Sequence, residues 1–238
     1  SGFALLFLRD FSPLVLLLIG ALALAWAWQR VQARPIWRWG GAMAVVALTL
    51  IGVFGLYWLH ERPEDFPLDF QQDRILVWAA PEQHPHSGYQ LRRALEAIRA
   101  GGWRGLAWDH GINGRVMAIP VVENDFAPAF FLNRYGGVAG LALAAIQAIF
   151  ILLLLNSADR AWHRRMAFGE CAYFTLYGGT AMIGAHILVS WGTNLGFLPV
   201  MGQPMSLLSA AGSHLALFVL PLTGLAIAVE ESHVNYPS

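Results

Sequence analysis

Gly136-Gly-Val-Ala-Gly-Leu-Ala-Leu-Ala-Ala-Ile-Gln-Ala-Ile-Phe-Ile-Leu-Leu-Leu-Leu155 runs for twenty residues without an Asp, Glu, Lys or Arg. A helix needs roughly 17–25 apolar residues to cross the hydrocarbon core of a bilayer. Four other stretches share this property: Phe11–Trp28, Ala42–Leu59, Cys171–Trp191 and Ser206–Val229. Buried helices of a soluble core would need several segments with no polar face at all, which is not how such helices are built. Composition agrees. The chain has 238 residues, 57% hydrophobic and only 13% charged, about half the charged share of a soluble domain. The expected fold is an all-α polytopic membrane protein with five transmembrane helices, forming one membrane domain over residues 1–238.

Orientation follows from the short connections. Gln29–Gly41 carries Arg30, Arg34 and Arg38, and Asn156–Glu170 carries Arg160, Arg164 and Arg165. Both read as cytoplasmic, because Lys and Arg are retained on that side. The long segment His60–Tyr135 and the short Gly192–Pro204 loop are then outside, with the C-terminal tail cytoplasmic. Arginines in the long segment do not conflict, since long loops translocate largely regardless of charge. Trp26, Trp28, Trp37, Trp39, Tyr57, Trp58 and Trp191 gather at span ends, where amphipathic rings meet the headgroups.

The long segment has structure of its own. Gln90–Ala100 repeats apolar residues at Leu91, Leu95 and Ile98, the spacing of one helix face, and Gly101-Gly102 stops it. It is expected to be a short amphipathic helix lying on the outer membrane surface. Further glycines at 105, 111 and 114 allow a tight approach to Arg115 and Asp125.

Lys plus Arg and Asp plus Glu both number 15, and without a basic tract no nucleic-acid partner is expected. The lone Cys171 falls in an apolar run and reads as a buried thiol. His84 and His86 have no acidic neighbour at ligand spacing, so no zinc site is expected. Gly178-Gly179 and Gly184 suit close helix approach, and Pro221 is expected to kink the last span. Opening on Ser1 with a turn-like Arg9-Asp10-Phe11, the chain reads as part of a longer gene product.

Several motifs then occur in a fixed order. They are His86-Ser87-Gly88-Tyr89-Gln90, Ala94-Leu95-Glu96-Ala97-Ile98, Gly101-Gly102-Trp103-Arg104-Gly105-Leu106 and Pro120-x4-Asp125-Phe126. Beyond the loop come Gly192-x-Asn194-x-Gly196-x2-Pro199-x2-Gly202 and Ser209-x2-Gly212-Ser213. This set resembles the SEDS proteins, the FtsW, RodA and SpoVE class of peptidoglycan glycosyltransferases, over about the C-terminal half of a ten-helix member. Arg9-Asp10-Phe11-Ser12 is similar to the entry to a middle helix of that family. The resemblance implies that Asp125 matches the essential aspartate of a Thr-Asp-Phe motif and that Arg115 stands where a lysine is frequent. Arg74-Ile75 matches the Arg-Ile that opens the loop. Glu123-Asn124 replaces His-Thr, Leu132-Asn133-Arg134 replaces Gly-Glu-Glu, and Ala211-Gly212-Ser213-His214 replaces Gly-Gly-Ser-Ser.

The resemblance implies polymerisation of glycan from lipid II at the outer face of a bacterial cytoplasmic membrane. Its expected partners are a class B penicillin-binding transpeptidase or another single-span membrane protein, and membrane lipid. A hydroxyl must lose a proton while a pyrophosphate departs. Asp125 can serve as general base, and Arg115, Arg74 and Arg134 are candidates for phosphate, which guanidinium grips bidentately. Asn194, Ser209 and Ser213 complete the implied substrate-binding set. No cofactor is assigned, with a divalent cation the sole candidate. Two other readings stand beside the enzyme. One makes Asp125 an N-cap of the next helix in a non-catalytic subunit that scaffolds an envelope complex. The other, a lipid-linked sugar flippase, would need a charged path that these charge-free spans do not offer.

Overall fold

A computed structural model describes residues 12–66, 69–84, 86, 88–107, 125–163, 168–203, 205–209 and 212–235. Its helices are α1 (Ser12–Arg30), α2 (Pro35–Glu61), α3 (Asp69–Ala79), α4 (Tyr89–Gly101), α5 (Ala127–His163) and α6 (Gly169–Asn194). A last segment begins with an α turn at Gly212–His214, widens to a π-helix over Leu215–Val219 and continues as α7, Leu220–Asn235. No strand occurs among the described residues. The chain is an all-α polytopic membrane protein. Four of its helical segments are long and apolar enough to cross a bilayer by length and composition, and the apolar part of α1, Val15–Arg30, is shorter.

Two sequence expectations shift at the last span. The helix starts at Gly212, not Ser206, because residues 205–209 form a turn with Leu207 at φ 71°. The expected kink at Pro221 takes the form of the π-helix just before it. A proline ring crowds the carbonyl four residues back and leaves it without its usual donor, so the preceding turn opens.

The chain separates into two compact units. The first comprises residues 51–145 and 186–211 with the chain's first fourteen, and holds α3, α4, the start of α5 and the end of α6. Its core is Ala94 and Ala97 of α4 against Phe126 and Ala129, with Ile98, Phe130 and Val200 packed onto it. The buried stripe of α4 is Leu91, Ala94, Ala97 and Gly101. Leu95 stays only partly buried. The expected surface helix is therefore docked on protein along a face rotated from the one its largest residues suggest. Small side chains decide this, because they let two backbones approach closely. A Cβ on Gly101 would stand 2.5 Å from the Leu132 carbonyl oxygen. Asn133 fastens the contact by donating from Nδ2 to the Ala97 carbonyl at 2.7 Å.

The same unit contains a break in α5. Gly136 has φ 80° and ψ 177°, so residues 127–135 form a short helix belonging to the long polar segment and the apolar run starts anew. The chain from Gly102 to Leu106 crosses this break. Gly137 N–H donates to the Gly102 carbonyl at 2.9 Å, Val138 N–H to Trp103 at 3.2 Å, and Leu106 N–H to Asn133 at 2.9 Å.

The second unit, residues 15–50, 146–185 and 212–238, is held by small-residue packing and by ion pairs near helix ends. A Cβ on Gly179 would fall 2.5 Å from Leu222, and one on Gly178 would fall 3.1 Å from Leu24, as the glycine pair led one to expect. Gly184 meets only Ile151, at an ordinary 3.8 Å. Arg30 donates to the Tyr177 hydroxyl at 2.9 Å and lies 3.3 Å from Asp159. Arg160 and Ser157 both donate to Glu230. Cys171 corrects the sequence reading, for its thiol is exposed. An apolar run in a membrane helix need not be buried in protein, since lipid solvates it equally well.

Candidate functional site

The first unit carries a polar cleft of about 440 Å³. Asp73, Arg74 and Val77 of α3, Gln90 and Leu91 of α4, and residues 200–203 of the loop after α6 line it together with Asp125. Helix α3 is stapled to that loop by Trp78, whose Nε1–H donates to the Gly196 carbonyl at 2.9 Å. Trp78 lies one turn beyond Arg74, so the staple holds the helix that carries the guanidinium. The loop is shaped from within by Thr193, which donates to the Pro199 carbonyl at 3.1 Å. Gly196 and Gly202 turn it at φ 78° and 61°. Gly202 brings it against the aspartate, where a Cβ would sit 3.7 Å from Asp125 Oδ2.

Asp125 is partly buried. Burial raises its carboxyl above the ordinary carboxylate range, because removing water disfavours the charged form. No hydrogen bond or ion pair holds its side chain among the described residues. The cap reading meets a specific competitor here. Ala129, the third residue of α5, donates its N–H to Asn194 Oδ1 at 3.1 Å, so an orphan donor of that first turn is satisfied from α6. A partly buried carboxylate in a cleft that a guanidinium also lines can accept a proton from a bound hydroxyl.

The residues named from the sequence separate clearly. Asp125 and Arg74 share the cleft. Arg115 lies outside the described residues, as do Glu123 and Asn124. Arg134 does not line the cleft. It is 5% exposed, and its guanidinium stacks over the Phe130 ring at 5.9 Å. Asn194 is wholly buried and bonds to backbone groups. Ser209 Oγ accepts from the Met205 N–H at 2.7 Å, inside the turn. Ser213 is exposed in the first turn of the last helix, in the second unit. Asp73, Gln203 and Trp78 escaped sequence reasoning, and Gln90 stood in a quoted motif with no site role given to it. Asp73 and Trp78 flank the quoted Arg74-Ile75, and proximity to that pair was the one available signal.

The cleft offers two carboxylates, and no cluster of three or more His, Cys, Asp or Glu occurs among the described residues. That set does not make a closed, all-protein metal cage; a magnesium-like cation would arrive with a bound phosphate and keep most of its waters.

A family model described as "Cell cycle protein" (FTSW_RODA_SPOVE) matches residues 3–234. The chain is 31% identical over 186 residues to peptidoglycan glycosyltransferase MrdB of Escherichia coli K12, covering 77% of this chain and 46% of that protein. It is 26% identical over 226 residues to the probable peptidoglycan glycosyltransferase FtsW of Halothiobacillus neapolitanus, covering 93% and 49%. The chain thus spans about half the length of the curated relatives it matches. A solved structure described as "Structural coordination of polymerization and crosslinking by a peptidoglycan synthase complex" superposes with TM-score 0.53 at 22% identity. That match covers 94% of this chain and 70% of the other, and supports the fold.

Proposed function

We propose, from the premise that this chain belongs to the FtsW/RodA/SpoVE family of cell cycle proteins, that it carries the catalytic cleft of a peptidoglycan glycosyltransferase. The substrate is lipid II, presented at the outer face of the cytoplasmic membrane. The acceptor hydroxyl attacks the anomeric carbon of the donor sugar and its proton passes to Asp125. The bond to the polyprenyl pyrophosphate breaks, and Arg74 stabilises the departing charge. A divalent cation, when bound to the pyrophosphate, would screen the same charge. The observation that carries this reading is the shared cleft of Asp125 and Arg74, with the aspartate partly buried and its burial raising its proton affinity. Arg115 is proposed as a second phosphate contact. A class B transpeptidase with one span is the proposed partner, and the five-span topology puts residues 60–135 outside.

The test is glycan-chain formation from labelled lipid II by the full-length protein with its transpeptidase partner. Arg74→Ala should lower kcat/KM by about 10- to 100-fold, the loss of one charge-assisted hydrogen bond of about 1.5–3 kcal/mol. Arg74→Lys should restore part of it. A second reading, a non-catalytic scaffold, draws on Asn133 and Arg134, both buried in packing where the family resemblance implies acidic residues. Absence of polymer from the wild-type complex would favour the scaffold. Orientation has its own test, in a Cys171→Ser background because the native thiol is exposed. An impermeant thiol reagent should label a cysteine at position 96 in intact cells and leave one at position 164 unlabelled. The opposite pattern would overturn the topology.

A further inference from the structure

Asn194 is the last residue of α6, and its side chain is fully buried. Its Oδ1 accepts from the Ala129 N–H at 3.1 Å. Its Nδ2 donates to the Asp125 carbonyl at 2.8 Å and to the Ser190 carbonyl at 2.9 Å. Asp125 and Ala129 lie on either side of the turn that opens α5, so one side chain clamps both. The bond to Ser190, one turn earlier in the same helix, fixes the amide's own direction. A carboxamide of this length supplies the needed acceptor and two donors together. An aspartate here would lose both donors and set a charge against two carbonyl oxygens. An alanine would leave buried backbone groups without partners, the costly side of hydrogen bonding.

We propose that Asn194 is a positioning residue for the general base, holding the Asp125 backbone so that the carboxylate stands in the cleft that Arg74 also lines. The inference rests on the glycosyltransferase reading of that cleft. It replaces the substrate contact that the family resemblance implies for Asn194. A side chain with no exposed surface, both amide protons engaged by backbone carbonyls, does not reach a sugar. The charged groups that share the cleft with Asp125 are Asp73 and Arg74, both on α3. Helix α4 contributes Gln90 and Leu91, and the loop contributes uncharged residues.

In the full-length protein with its partner, Asn194→Ala should lower kcat by about 10²-fold, the scale of a misplaced catalytic group, while KM for lipid II changes little. Released from its partly buried station, Asp125 should be better hydrated, so the acid limb of the rate–pH profile should move to lower pH. Asn194→Asp should behave like Asn194→Ala. The control is Asn133→Ala, which removes another fully buried asparagine of the same unit, bonded to the Ala97 carbonyl. It should reduce thermal stability without moving the acid limb. Independently of activity, carbodiimide labelling of Asp125 followed by mass spectrometry against pH should show the same downward shift in Asn194→Ala. A raised KM with normal kcat would overturn the inference in favour of a substrate contact. Less folded protein, with an unchanged limb and unchanged labelling, would overturn it in favour of a purely structural role. Full activity of an Asp125→Asn protein would strike the glycosyltransferase reading itself, and the labelling shift would still report whether Asn194 sets the aspartate's surroundings.

Discussion

Replacing Asp125 by Asn is expected to reduce glycan polymerisation by about 10²–10⁴-fold, the usual contribution of a positioned general base. The amide keeps the shape of the side chain but cannot accept the proton. Abundance and membrane insertion should stay close to wild type. The Asp125 carboxylate bonds to nothing among the described residues, and the Ala129 N–H is satisfied by Asn194. A capping role would instead predict near-normal activity for Asn and a folding defect for Ala.

The pH dependence sharpens this prediction. Burial raises the carboxyl's pKa, and the base form exists only above that pKa, so the wild-type rate should climb with pH along a limb displaced upward from an exposed aspartate's. Stability follows the opposite sign. A group whose folded pKa is raised binds more protons folded than unfolded, so its contribution is complete at low pH and is lost as pH rises through the folded value. Asp125→Asn should remove that slope from a thermal-melt series against pH. Polymer yield from Asp125→Asn equal to wild type would sink the catalytic assignment.

Gly136→Ala is expected to be among the most destructive single-methyl changes in the first unit. Gly136 has φ 80° and ψ 177°, a positive-φ extended region essentially confined to glycine, where a residue with a Cβ is strained by about 1–3 kcal/mol. Sterics add to the strain. The new Cβ would stand 2.4 Å from the Trp103 carbonyl oxygen and 2.5 Å from Arg104 C and Gly105 N. All three are backbone atoms of the segment 102–106, which the Gly102, Trp103 and Leu106 hydrogen bonds tie across the break in α5, so none can yield without straining the crossing. The combined loss should exceed about 4 kcal/mol, the range reserved for a few severe mechanisms. Little correctly folded protein should reach the membrane. Two controls separate strain from collision. Gly102 has φ 55° but open space around its Cβ position, so Gly102→Ala should show strain alone. Gly224 has neither constraint, and Gly224→Ala should be neutral or stabilise by up to about 1 kcal/mol through helix propensity. Equal abundance of Gly136→Ala and Gly224→Ala in membranes would refute the account.

The sequence by itself determined the class of the fold. Runs such as Gly136–Leu155 have no charge to keep in water, so helices with internally satisfied backbones are the structures open to them in lipid. It also determined that a helix fills residues 90–100, and that Asp125 with Arg115, Arg74 and Arg134 are the residues to examine, through motif order and family resemblance; the shared cleft picked out Arg74. Tertiary structure decided which face of α4 is buried. Periodicity locates an amphipathic helix, but Ala94, Ala97 and Gly101 are chosen over Leu95 because a close backbone crossing rewards small residues. It decided that Cys171 is exposed and that Arg134 is buried on Phe130, since neither lipid contact nor ring stacking has a local signature. It also turned Asn194 from an implied substrate contact into a backbone clamp. Its partners Asp125 and Ala129 are 69 and 65 residues away, and a hydrogen bond across that separation is written in the packing of α6 against the start of α5, not in any local run of residues.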